Sequence, residues 1–218
     1  RAQLAPAAGD VLAQLAHRSL HVRKAAVLLL SYAAHNDPAM VRDALPAHMD
    51  ALYAEATVKP ELVRDVRLGP FVHKVDDGLE NRKAAYECLY TLLGTLLECV
   101  DVARFVAHLK HGLADVHDIK QLAHLMIVRL AHVADAQLVQ GLEQLVEPLR
   151  ATVEHKVKDG AVKQEAERND AMVRSALRAV AAAARTPNVE SCGAFMAFVA
   201  VVQRDYKKQY DEVANEKK

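Results

Sequence analysis

HVRKAAVLLLSYAAH, residues 21–35, and ENRKAAYECLYTLLG, residues 80–94, are two statements of one pattern. A basic residue stands early in each, followed by small and apolar residues at helical spacing. DIKQLAHLMIVRLAH from Asp118 and MVRSALRAVAAAART from Met172 repeat it. The markers are Arg23, Arg82, Lys120 and Arg174, so the steps are 59 residues (23 to 82), 38 (82 to 120) and 54 (120 to 174).

A step of 38 residues is close to the period of HEAT and armadillo helix pairs, about 40–47 residues. The two longer steps follow if one repeat carries about 20 extra residues and another about 16. Both extras are visible. The first, around 61–76, alternates instead of repeating at helical spacing: Val66 and Leu68 flank Arg67, and Phe71 and Val75 lie either side of Lys74. The second, 155–170, is HKVKDGAVKQEAERND, charged and interrupted by Gly160. Partner segments lie between the markers: residues 37–56, 101–115 and 135–155. Pro46 and Pro148 predict a kink or break in two of them, because proline lacks a donor and clashes one turn back.

The expected fold is all-α: a HEAT-repeat α-solenoid, a right-handed superhelix of antiparallel helix pairs, with one inserted β-hairpin. It is expected as a single array over residues 1–218, with the hairpin at about 61–76, a charged connector at about 155–170 and a terminal helix at about 188–214. A lone pair cannot bury its apolar face, so stacking makes the core continuous. The basic markers have two readings, a structural ladder to acidic turn residues or direct contact with a partner.

Composition agrees with packed helices. Of 218 residues, 52% are hydrophobic and only 5% aromatic, with no Trp. With 28 basic and 28 acidic residues the formal charge is zero, and a domain that lives on phosphate contacts is usually basic, so no nucleic-acid partner is expected. No apolar run has the about 18 residues of a membrane span. The start at Arg1 reads as a cut end of a longer protein. Cys88, Cys99 and Cys192 have no CxxC spacing and read as reduced core thiols of a cytosolic or nuclear protein.

Gly69-Pro70 suits a two-residue turn: Gly accepts the positive φ of a II′ turn's first central position, and Pro holds φ near −65° at the second. An isolated hairpin is marginal in water, so this one leans on the helices or on a partner. It is either an ornament or a finger that touches a partner, as insertions in repeat arrays commonly do.

Chemistry finds little purchase. His108, His111, His117 and His124 invite a metal, but no Cys or HExxH pattern completes a ligand set. Asp76, Asp77 and Glu80 lack a nucleophile or pocket to work with, and are expected to cap and compensate the helix starting near Leu79. No phosphate loop, nucleophile elbow or dinucleotide motif occurs. No catalytic residue, metal or cofactor is assigned, and the chain is not expected to be an enzyme. The last residues, KKQYDEVANEKK, read as a charged, fraying end.

Several stretches also carry a resemblance. VRKAAVLLLSYAAHNDP (22–38), LGPFVHKVDDGLENRKAAYECLYTLL (68–93), DIKQLAHLMIVRL (118–130), LVEPLRATVEHKVK (145–158), VKQEAERND (162–170) and RSALRAVAA (174–182) are similar to the C-terminal end of the cullin-associated, neddylation-dissociated family. The resemblance runs over about 20–185, includes both insertions, and departs beyond Pro187. It implies a HEAT-repeat solenoid that wraps cullin–RING scaffolds lacking the ubiquitin-like modification, its C-terminal repeats gripping the cullin's N-terminal helical region. It further implies that a β-hairpin blocks the seat of the substrate-receptor adaptor, so that the protein promotes receptor exchange. That hairpin maps onto Leu62 to Val75, with partner-binding residues Val66, Arg67, Leu68, Gly69, Pro70, Phe71, Val72, His73 and Lys74. The implied partner is a cullin with its RING-box subunit, bound exclusively of the adaptor by a monomeric chain in cytoplasm and nucleus. The alternatives are a general scaffold or transport-type solenoid, and a TATA-binding-protein-interacting transcription factor.

Overall fold

The computed structural model describes residues 5–158, 160 and 162–216. Residues 1–4, 159, 161, 217 and 218 lie outside them. Among the described residues are eleven α-helices and one two-stranded sheet, divided into two compact units, Arg1–Val100 and Asp101–Lys218. This is the expected all-α helix-pair architecture with a single hairpin. No helix among the described residues is long and apolar enough to cross a membrane.

In the first unit, α1 (Ala5–Ala13) leads to α2 (Leu20–Asn36), and α3 (Met49–Glu55) and the hairpin lead to α4 (Leu79–Thr95). The long helices α2 and α4 pack side by side. Ala26, Val27, Leu30, Ala33 and Ala34 make the buried stripe of α2, and Ala84, Ala85, Cys88, Leu89 and Leu92 belong to that of α4. Alanines on both stripes let the backbones approach, and helical spacing keeps each stripe on one face. The segment before α3 breaks around Pro46 as expected: Leu45–His48 is a 3₁₀ turn, and regular helix starts only at Met49.

The second unit holds α5 (Val102–Gly112), α6 (His117–Val133), α7 (Asp135–Gly141), α8 (Glu143–Val153), α9 (Lys163–Ala183), α10 (Gly193–Asp205) and α11 (Lys207–Ala214). The α5 helix starts on an Asp101 cap, whose carboxylate accepts from the Arg104 amide at 3.1 Å. The second helices again stack, α6 on α9 and α9 on α11. Leu130, Leu138, Leu149, Leu177 and Phe198 lie in the core.

Four expectations are corrected here. The helix containing Pro148 continues through it, and the interruption falls upstream at Leu142. Gly141 stands just before it, where a Cβ would collide with the Val106 side chain. The connector expected over 155–170 gives way to helix at Lys163. Its charges hid the helix: nearly all of 163–170 is exposed, and Lys163 and Glu167 pair at i, i+4 (3.5 Å) instead of showing an apolar stripe. The terminal helix expected over 188–214 is two helices with a break at Tyr206. The charged end is ordered as α11 because Tyr210 and Val213 are buried, and α11 packs on α9.

Of the cysteines, only Cys88 is a core thiol; Cys99 and Cys192 are half-buried, and all three are free. Burial raises the Cys88 thiol pKa.

Candidate functional site

The insertion is a β-hairpin: β1 (Val63–Leu68) pairs antiparallel with β2 (Phe71–Asp76) in an unbroken register from Val63 with Asp76 to Leu68 with Phe71. Gly69-Pro70 is the two-residue turn, and Gly69 has φ +62°, which the first central position demands and which costs an L-residue. Side chains alternate between faces, and directly paired residues share one. Arg64, Val66, Leu68, Phe71, His73 and Val75 therefore lie on one face, and Asp65, Arg67, Val72 and Lys74 on the other.

The nine candidate residues are thus brought together, in the outer two-thirds of one hairpin. All are exposed except half-buried Val66. Leu68 is 61% exposed and Phe71 67%, side by side across the turn. Val72 is exposed on the opposite face beside Arg67, and Lys74 faces Asp65. The tip is apolar with basic flanks, on a strand pair whose outer edges carry free backbone groups. Exposed aromatic and aliphatic side chains at a hairpin tip are the sort of group that a partner buries.

The base is held differently. Asp77 N donates to Leu62 O at 3.0 Å, and Gly78 N to Asp76 Oδ1 at 2.9 Å. The other Asp76 oxygen lies 2.8 Å from Arg82 Nη1, a guanidinium only 2% exposed. Arg64 clamps Asp77 with two hydrogen bonds, 2.7 and 3.1 Å, on the surface. That pairing lowers the Asp77 pKa and raises that of Arg64. Asp76, Asp77 and Glu80 therefore do not cap α4, whose N-cap is Gly78 with no side-chain bond. They are charge partners, Glu80 reaching Lys24 of α2 at 3.2 Å, and Glu80 also stands in the first turn of α4, where a carboxylate suits the helix dipole.

Behind the base lies a buried polar cluster. Glu55, 3% exposed at the end of α3, lies 2.8 Å from Arg23 Nε, pairs with Lys59, and accepts from Asn81 Nδ2 at 2.9 Å. Asn81 also donates to Leu20 O at 3.0 Å, so α2, α3 and α4 meet through one carboxylate. Burial pushes the Glu55 pKa up, but the hydrogen bonds from Lys59, Asn81 and Arg23 outweigh it and leave the carboxyl below its ordinary value. Two of the basic markers, Arg23 and Arg82, are thus internal charge partners, their carboxylates standing at the ends of α3 and β2 instead of in turns. Arg174 pairs with Glu212 on the surface at 3.5 Å, and Lys120 lines a cleft with His117, Thr152 and His155.

Sequence reasoning placed the tip but not the anchors, Asp76 and Arg82. The signal was present in the marker arginine and in the Asp76-Asp77 pair that closes the alternation. Of the histidines, His108 and His111 stack edge to face, centroids 6.4 Å apart, and His124 is buried against Ser175. Among the described residues no group of three or more His, Cys, Asp or Glu side chains could hold a metal ion.

Residues 40–203 match a family model described as TATA-binding protein interacting (TIP20). The chain is 50% identical over 197 residues to the cullin-associated NEDD8-dissociated protein 1 of Dictyostelium discoideum, which covers 90% of the chain and 16% of that protein. It is 48% identical over 179 residues to the protein of the same name from Drosophila melanogaster, covering 82% of the chain and 14% of the relative. A third relative, the C-terminal part of cullin-associated NEDD8-dissociated protein 1 of Emericella nidulans, is 32% identical over 206 residues, or 93% of the chain and 20% of that protein. The chain therefore spans no more than a fifth of the length of these relatives. With a family model matching most of its length and the hairpin within the matched range, the chain belongs to the family of cullin-associated NEDD8-dissociated proteins.

Proposed function

We propose that this chain is a non-enzymatic regulator of cullin–RING ubiquitin ligases, acting as a module that binds the N-terminal region of an unneddylated cullin carrying its RING-box subunit. Its hairpin takes the seat of the substrate-receptor adaptor, so that cullin binding and adaptor binding weaken each other and receptors exchange. The observation that carries this reading is the two-part hairpin: an exposed Leu68–Phe71 tip on a base tied down by Asp76 and Arg82. A tethered base holds the tip in place before contact, which lowers the ordering cost of binding. Family membership supplies the partner class. The proposed setting is cytoplasm and nucleus, and the proposed state is a monomer.

The test is capture of an unmodified cullin on the immobilised chain. Replacement of Leu68 to Val72 by a short Gly-Ser turn is expected to reduce capture, as is adaptor in excess. Capture indifferent to both would refute the hairpin's role and leave a general scaffold. The description of the matching family model favours a second reading, binding to the TATA-binding protein. Retention of that protein instead of cullin on the same resin would support it.

A further inference from the structure

The C-terminal unit carries a second feature that the hairpin does not use. A cleft of about 390 Å³ opens among α6, α9 and α11. Leu125, Val128, Ala131, Ala181, Ala182 and Val213 make it apolar, and three of these are alanines where larger side chains would fill the space. His124, 1% exposed, lies against it. Its Nδ1 is 3.1 Å from Ser175 Oγ, while Nε2, fully buried, has no hydrogen-bond partner. Burial, with smaller contributions from Lys120 and His117, lowers this imidazole's pKa to about 3, so it is neutral and offers either a donor or an acceptor.

The rim is basic. Arg178, Arg185 and His132 stand there against one carboxylate, Glu216. Glu216 accepts two hydrogen bonds from Arg178, at 2.6 and 2.9 Å, and Arg185 donates to the Ala214 carbonyl. The end of the chain thus already supplies a carboxylate and a carbonyl to these arginines. Arg178 and Glu216 are both well exposed, and exposed ion pairs contribute little.

We propose that this cleft is a docking site for an acidic, apolar segment of a partner chain. An apolar side chain enters beside Leu125 and Ala182, and a neighbouring carboxylate replaces Glu216 on Arg178. The segment after α11 is then a built-in competitor that the partner displaces. This site is independent of the hairpin and of the cullin reading.

The test uses the whole chain and a fluorescein-labelled Leu-Glu-Leu-Glu peptide, with its Leu-Lys-Leu-Lys counterpart as control, read by fluorescence anisotropy. Glu216→Ala removes the competitor and is expected to bind the acidic peptide several-fold more tightly than the wild type, with the basic peptide left unbound. In that background Arg178→Glu, or Ala182→Leu, which fills the cleft from a half-buried position, is expected to weaken binding about tenfold or more, equivalent to one decade in Kd. Circular dichroism checks that each variant is folded. Failure of Glu216→Ala to bind the acidic peptide, or equal binding after Ala182→Leu, would overturn the proposal, the latter because it leaves only surface charge.

Discussion

Asp76→Asn tests how the hairpin is held. The substitution keeps the side chain's shape and the oxygen that accepts from Gly78 N, and removes the charge facing Arg82. Taking one partner from a fully buried ion pair costs about 3–5 kcal/mol, since the remaining charge is left uncompensated in a poor solvent. The figure must be reduced here. Asp76 is 18% exposed, so water reaches part of the pair, and Arg82 makes further contacts. A loss of about 2–3 kcal/mol follows, or about 5–10 °C in Tm for a chain of this size. Urea denaturation followed by circular dichroism measures it. The loss should be smaller when Arg82→Met accompanies Asp76→Asn than the two single losses added, because the double variant leaves no orphaned charge. A change below about 0.5 kcal/mol in Asp76→Asn, the range of an ordinary surface substitution, would refute the claim that this pair anchors the base.

Glu55 gives a pH dependence of known sign. Its folded pKa lies below the ordinary carboxyl value, so its contribution is complete above that value and is lost as pH falls through the lower folded one. In acid titrations of stability, Glu55→Gln should be less stable than wild type at neutral pH, and the gap should narrow in acid; a constant gap contradicts the network. Gly69→Ala places a Cβ in open space at φ +62°, so its cost is backbone strain alone, about 1–2 kcal/mol. Hydrogen exchange of the hairpin amides should speed up about five-fold or more, with Gly69→Asn less affected because Asn tolerates that region. Leu68→Ser with Phe71→Ser should leave Tm nearly unchanged, since both residues are exposed, while cullin binding weakens about tenfold or more. A large drop in Tm would mean that these side chains support the fold.

The helix pairs and the hairpin were legible because each has its own period. Arg23, Arg82, Lys120 and Arg174 open apolar stripes at helical spacing, whereas Val66, Leu68, Phe71 and Val75 alternate around a Gly-Pro turn. What escaped was set by contacts across the fold. The close approach of Gly141 to Val106, next to the interruption at Leu142, is recorded by no local pattern, while Pro148 lies inside an unbroken helix. The first two turns of α9 are solvated on nearly all sides, so they lack the apolar stripe that betrays a helix. In α11 only Tyr210 and Val213 are buried, too few to outweigh the charged surroundings in a reading by composition. Burial of charge was also invisible: Glu55 and Arg82 look like any surface residues until Arg23, Lys59, Asn81 and Asp76 close around them. The candidate tip was therefore readable from its own strand pattern, and its anchorage only from coordinates.

The central claim is that the tip and the adaptor want the same place on the cullin. Titration of a cullin N-terminal domain with this chain, at several fixed adaptor concentrations, measures it directly. The expected result is an apparent Kd that rises with adaptor for the wild type, with the chain weakening adaptor to the same extent because coupling is reciprocal. The variant with Leu68 to Val72 replaced by a Gly-Ser turn should bind with a Kd that no longer depends on adaptor. A wild-type Kd unmoved by saturating adaptor, with both proteins on the cullin at once, would contradict it.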